Sequence, residues 1–263
     1  MERDRGPAPA RNRGVGLARA PVIAFTDSDC RPDPGWLEAG PATFVDPAVA
    51  LASGPVLPKP GQRVTPTSKF GFVTAAEHPS FPTADAWYRC DVFRAMGGFD
   101  TRPCFGDPFG RAVEAADTGL AWRVIEAGHA RRFAPEALMR HEIERLPLVQ
   151  WLTEPTRIYP LPEVIRGHPQ LRGLLLTGGY VFHPRATMRV GAILPWLPAC
   201  LVAPRLLPAG LLAALGLAAL RARSPDPRRC GPLLARLAGE TTRHVLLVAT
   251  LPCGSIRFRS LVI

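Results

Sequence analysis

The chain has 263 residues, enough to bury a sizeable core in one large domain or one domain with an appendage. Its formal net charge of +10 is carried largely by arginine, which fits a polyanion, an anionic membrane surface or a diphosphate substrate and does not choose among them. The six cysteines are scattered with no C-x-x-C pair, which argues against a disulfide framework or a zinc-finger site and for a reducing compartment. The arginines are dispersed and lack interleaved aromatics, so nucleic-acid binding is excluded as a reading.

The charged start Met1-Glu2-Arg3-Asp4-Arg5 lacks the apolar core of a signal peptide. Gly6-Pro7-Ala8-Pro9 reads as loop and Ala10 to Ala20 as a short helix. The apolar run Pro21-Val22-Ile23-Ala24-Phe25 then reads as a buried strand. At its exit stands Asp27-Ser28-Asp29, two carboxylates one residue apart that can turn toward a single point. Hard cations such as Mg²⁺ and Mn²⁺ favour carboxylate oxygens and keep positions open for substrate phosphates, so the triplet points to a metal-assisted diphosphate site.

Asp33-Pro34 reads as an N-cap with proline at the first helical position, opening a short helix through Trp36-Leu37 that ends at Gly40-Pro41. A second strand is expected from Val49 to Val56, and a mobile Pro/Thr/Ser/Gly-rich loop over the site at 58–84. Ala115 to Ala127 has helical spacing, with Gly128 as its C-cap. Short strands follow near Arg132-Phe133 and Leu138-Met139. From Val190 to Leu220 the only charge is Arg205, and Pro195, Pro198, Pro204 and Pro208 interrupt the run. A straight spanning helix needs about 20 apolar residues. The prolines therefore favour two short segments or one kinked span from Ala192 to Leu220, with a buried helical hairpin as the alternative. Arg221, Arg223, Arg228 and Arg229 place that end on the cytoplasmic side. Residues 231–251 read as a further amphipathic or apolar helix.

Four blocks line up in order: Gly6 to Gly14 (G-P-A-P-A-R-N-R-G), Asp27-Ser28-Asp29, Gly97-Gly98-Phe99-Asp100, and Asp117 to Arg123 followed by Pro135 to His141. Pro34, Trp36 and Leu37 follow the second block, and Tyr88-Arg89 precedes the third. In this order the chain resembles a family 2 glycosyltransferase of the GT-A fold over roughly residues 6–142. Gly167-His168-Pro169 and the tail from Gly254 to Arg259 resemble bacterial membrane-associated members.

The resemblance implies an α/β fold: a truncated GT-A (Rossmann-like) domain over 1–145, a helical extension over 146–188, and an apolar, membrane-associated helical region over 189–263. It implies inverting transfer of a sugar from a nucleotide-diphosphate donor to a hydroxyl on a cell-envelope saccharide or lipid acceptor. Mg²⁺ or Mn²⁺ would assist, at the cytoplasmic face of a bacterial membrane. Asp29, Asp27 and His141 would hold the metal, and Asp117 would be the general base. Arg11, Asn12, Asp27, Ser28, Gly97, Gly98, Trp122 and Arg123 would bind substrate. The residues by themselves leave plainer roles open. Asp117 also suits a helix N-cap, Arg123 a structural salt bridge, His141 a strand end, and Trp87, Tyr88 and Trp122 the core.

Three departures from the family pattern stand out. The E-D-x-D helix motif has become Ala116-Asp117-Thr118-Gly119, with Glu114 nearby. Asp85 stands where many relatives have asparagine. Relatives also begin with a strand leading to P-x-Y-N and a second strand ending in D-D-x-S, which bind base and ribose. This chain starts just before the third family element, so a domain lacking its nucleotide-binding front is expected. A non-catalytic glycosyltransferase remnant or membrane-associated scaffold is the alternative.

Overall fold

The structure, a computed structural model, describes residues 6–101, 105–113, 115–193 and 227–263. The chain enters through α1 (Pro7–Leu17), which starts ahead of the expected Ala10 because proline at the first helical position gives up no intrahelical hydrogen bond. β1 (Val22–Phe25) follows as expected, with Ile23 and Phe25 pointing into the core. The DSD turn closes with the Cys30 amide donating to the Asp27 carbonyl at 3.1 Å and leads into β2 (Cys30–Pro32). α2 (Trp36–Ala42) begins behind Gly35, whose φ of +88° suits glycine, and no side-chain cap from Asp33 forms. The helix runs through Pro41 into a 3₁₀ turn at Thr43–Val45, where the Thr43 hydroxyl donates to the Gly40 carbonyl at 2.8 Å.

The strand expected from Val49 to Val56 is two strands, β3 (Val49–Ser53) and β4 (Val56–Pro58), in different sheets. At the break stands Gly54, where no side chain fits. A Cβ there would lie 2.2 Å from Asp85 Oδ2 and 2.1 Å from the Ala137 carbonyl oxygen. β5 (Ser68–Lys69) is the one strand of the long 58–84 loop among the described residues. A 3₁₀ turn at Thr83–Asp85 precedes β6 (Ala86–Arg89) and α3 (Cys90–Ala95). After the β7–β8 pair (Phe105–Gly106, Ala112–Val113) comes α4 (Ala116–Glu126), with Gly128 at φ +89° just past its end. β9 (Ala130–Phe133), β10 (Met139–His141) and β11 (Glu144–Arg145) complete the strands.

Two mixed sheets result. The first has order β1-β6-β3-β9, with β3 and β9 parallel and the other pairs antiparallel. The second has order β2-β10-β4, with β10 antiparallel to β2 and parallel to β4. One core gathers Phe25, Tyr88, Phe93, Phe99, Leu120 and Val124, its rings meeting edge-on at 4.9–5.9 Å between centroids. A second core, around Trp36, Trp87, Val49, Val56 and Met139, joins the two sheets.

Helices α5 (Leu148–Thr153), α6 (Leu161–Gly167), α7 (Leu171–Leu175), α8 (Pro184–Ile193) and α9 (Pro227–Phe258) form the remainder, with a 3₁₀ turn at Glu154–Ile158. They are tied to the sheets through Trp122, which shares a core with Leu161, Ile165, Leu171, Leu251 and Val262. The described part of the 189–263 region does not support the expected apolar character. Among the described residues no helix is long and apolar enough to cross a membrane. α9 carries Arg236, Glu240, Arg243 and Arg257 and packs on α5, α6, α8 and the Glu154–Ile158 turn. Its charged face makes it the amphipathic of the two alternatives expected at 231–251, not the apolar one. The proline-broken run expected between Ala192 and Leu220 lies, from residue 194 onward, outside the described residues.

Candidate active site

The antiparallel register of β2 and β10 sets Cys30 directly opposite His141. Directly opposed residues project to the same face of a sheet, so thiol and imidazole come together. The ladder continues into the DSD turn, where the Glu142 amide donates to the Asp29 carbonyl at 2.9 Å. His141 is buried, with Nδ1 2.7 Å from the Glu142 carbonyl oxygen and Nε2 3.4 Å from Asp29 Oδ2. A carbonyl only accepts, so Nδ1 carries the proton. Nε2 then faces Asp29 with either a second proton or a lone pair. In the latter case two acceptors oppose each other, an arrangement a bridging cation relieves. One donor atom each of Asp29, Cys30 and His141 lies within 4.8 Å of the others. Carboxylate, imidazole and thiol fit a divalent transition ion better than Mg²⁺, which prefers oxygen alone.

Burial, and then the negative charge of Asp27, push the Cys30 thiol up to about 11. Sequence reasoning had not included this cysteine. The strand register that aims it at His141 has no local sequence signature. The long loop contributes Gly71, whose Cα lies against the His141 ring. A Cβ at Gly71 would fall 2.4 Å from three ring atoms.

Asp27, expected beside the metal or the sugar nucleotide, has its Oδ1 2.9 Å from Arg11 Nη2 and lines the adjoining cavity. Ser28 is exposed at the tip of the turn. Asp117 stands in the first turn of α4, where Ala115 and not Asp117 is the N-cap. The Thr118 amide donates to Asp117 Oδ1 at 2.8 Å. Burial pushes Asp117 up to about 6, against the Thr118 hydrogen bond and the Arg11 charge and with help from the Asp27 charge. Asp117, Arg11 and Asp27 thus form one electrostatic group. Tyr88 lies in the core beneath, its hydroxyl without a hydrogen-bond partner among the described residues and pushed up by burial and then by Asp117.

Several expected substrate-binding residues are brought together, but onto each other. Asn12 Nδ2 donates to the Phe99 carbonyl at 2.8 Å, and the Phe99 amide donates to Asn12 Oδ1 at 2.9 Å. Arg123 Nη2 donates to the Gly98 carbonyl. Gly97 and Gly98 take φ of +78° and +68°. Asn12 and Arg123 therefore shape the glycine turn from two sides. The Trp122 indole donates to the Pro79 carbonyl at 2.8 Å, and its ring belongs to the core. The Glu114 position lies outside the described residues.

Asp27 and His141 line a cavity of about 830 Å³ together with Phe70, Phe72, Trp151 and Arg243. Arg243 sits 4.5 Å from the Trp151 ring centroid and donates to the Trp151 carbonyl. The 58–84 loop thus does cover the site. Trp151 and Arg243 were not legible in advance because they arrive from α5 and α9, far along the chain. Behind the site Asp85 is buried, its Oδ1 accepting from the indoles of Trp36 at 3.0 Å and Trp87 at 2.9 Å. Burial pushes it up to about 7 despite both hydrogen bonds.

Comparison with known proteins agrees with this architecture. Residues 1–97 match the family model described as glycosyl transferase family 2. A pre-mycofactocin glycosyltransferase of Mycobacterium tuberculosis (strain CDC 1551 / Oshkosh) is 30% identical over 192 residues, covering 66% of this chain and 38% of that protein. Glycosyltransferase AglE of Haloferax volcanii is 26% identical over 147 residues, covering 53% of this chain and 45% of that protein. The chain thus spans less than half the length of these curated relatives. The mannosyltransferase PcManGT from Pyrobaculum calidifontis, solved in complex with GDP-Man and Mn²⁺, shares the α/β GT-A-like fold. Its TM-score is 0.51 at 21% identity, over 97% of this chain and 67% of that one. Residues 1–97 are thus similar to the family 2 glycosyltransferases, on a chain whose described residues have a GT-A-like fold.

Proposed function

We propose that the chain transfers a sugar from a nucleotide-diphosphate donor to an acceptor hydroxyl, with inversion, in the cavity between the DSD turn and α9. The observation that carries this reading is the convergence of Asp29 and His141, 3.4 Å apart, beside a cavity lined by His141 and Asp27. The mannosyltransferase neighbour, with its GDP-Man and Mn²⁺, supports the donor class and the ion.

Asp29 and His141 would hold the ion, which when bound would offset the charge of the departing diphosphate. Arg11, 2.9 Å away, orients Asp27. Asp117 takes the proton of the attacking hydroxyl. A carboxyl pushed up to about 6 is a stronger base than an ordinary aspartate and is still mostly ionised near neutral pH. The glycine turn, held by Asn12 and Arg123, fixes the backbone beside these groups. Phe70, Phe72 and Trp151 give the cavity an apolar face suited to a sugar ring or a lipid-linked acceptor. A setting at the cytoplasmic face of the bacterial membrane belongs to the same reading.

Thermal unfolding with GDP or UDP, with and without Mn²⁺, tests it. Mn²⁺-dependent stabilisation in the parent chain that is lost in Asp29→Ala is expected. No stabilisation by either nucleotide would overturn the reading. A second reading, a non-catalytic remnant, is favoured by Ala116 and Gly119 standing where relatives carry acids. Transfer of sugar to any saccharide or lipid acceptor would eliminate it.

A further inference from the structure

We propose that Cys30 is a metal ligand, so that the site selects thiophilic divalent ions such as Zn²⁺, Co²⁺ and Cd²⁺ over Mg²⁺. Cys30 and His141 are directly opposed across the β2–β10 ladder, so both side chains project from one face. Asp29 is the next residue back along the same strand line, its carbonyl fixed by the Glu142 amide at 2.9 Å. Three different donor types therefore sit on two hydrogen-bonded strand ends and do not depend on a long loop for their placement.

The distances suit a compact ion. Donors sharing a tetrahedral ion at about 2.0–2.3 Å lie roughly 3.3–3.8 Å apart. Asp29 and His141 already meet that spacing at 3.4 Å, and Cys30 completes a group spread over no more than 4.8 Å. The Nδ1 proton of His141 is directed to the Glu142 carbonyl, an outer contact that turns Nε2 toward the ion. Sulfur in such a set lowers its preference for hard oxygen-seeking cations and raises it for softer ones. On binding, the thiol proton passes to solvent and the sulfur lone pair forms the metal bond.

The inference builds on the metal site of the reading above, but its test reads the sulfur–metal bond and not sugar transfer. The full chain is titrated with Co²⁺ and followed by near-ultraviolet absorption, beside Cys30→Ser. A thiolate-to-cobalt charge-transfer band in the parent that is absent in Cys30→Ser is expected. Cd²⁺ affinity should fall by on the order of tenfold or more in the variant, while Mn²⁺ affinity changes far less. No band in the parent, or a band that survives in Cys30→Ser, overturns the proposal. Should Cys30→Ser fail to fold, alkylation of the parent decides the matter. Cd²⁺ slowing modification of Cys30, but not of exposed Cys253, supports it, and equal modification with and without Cd²⁺ overturns it.

Discussion

Arg11 Nη2 lies 2.9 Å from Asp27 Oδ1, and these two charges act in opposite senses on Asp117. Asp117 works as a base only when ionised, so kcat/KM should rise with pH through about 6 on its acid limb. Asp117→Asn should lower kcat by about 10²–10⁴-fold. Arg11→Met removes a charge that favours the ionised form and should move the acid limb to higher pH. Asp27→Asn removes a repelling charge and should move it to lower pH. Shifts of the same sign, measured on residual activity, would show that this field does not set the limb.

Asp85 predicts a pH dependence of stability. Its carboxyl is held near about 7 by burial, against an ordinary 3.8. Folding therefore favours the protonated form. The favourable contribution is complete below about pH 4 and is lost as pH rises through about 7, a change on the order of 3–4 kcal/mol. Asp85→Asn keeps an acceptor for both indoles and carries no charge. Its stability relative to the parent, from urea midpoints, should climb from about pH 4 to about pH 7 and level off above that. A flat difference would mean the parent carboxyl titrates in its ordinary range.

Gly98 and Asn12 should prove coupled. At φ +68° an alanine Cβ would fall 2.7 Å from Asn12 Oδ1, so Gly98→Ala combines backbone strain with a clash. A loss of about 1–3 kcal/mol is expected, and a similar loss for Asn12→Ala, which removes both hydrogen bonds to Phe99. The double variant should cost less than the sum in a denaturation cycle, because Asn12→Ala also removes the clash. Strict additivity would show the two act independently.

Gly71 offers a way to disturb His141 without touching a ligand. Gly71→Ala places a methyl into the imidazole ring, so the loop or the ring must move. Mn²⁺-dependent nucleotide binding should weaken by about tenfold or more, while far-UV circular dichroism stays unchanged. Unaltered binding by calorimetry would mean the loop, not the ring, gives way.

Part of this molecule was legible before its fold was known. The apolar run ending in Phe25, the DSD turn and the α4 helix with its glycine stop are local patterns. Hydrogen bonds and side-chain periodicity within a few residues suffice to produce them. The family order of those blocks also pointed to the correct fold. The requirement for glycine at position 54 was not legible, because it comes from the close approach of Asp85 and Ala137, residues distant in sequence. The charged face of α9 was readable residue by residue, yet its docking on α5 and α6 was not.

The same division holds at the site. The sequence alone determined that two carboxylates would leave one strand together and that the paired glycines would make a tight turn, since adjacent residues need no fold to stay adjacent. Only the tertiary structure decided what those groups face. It sets Cys30 against His141, commits Asn12 and Arg123 to the glycine turn, and buries Trp122. Each of these depends on strand register and helix packing between segments about 25 to 110 residues apart, where a slip of one residue would turn the side chains to the opposite face.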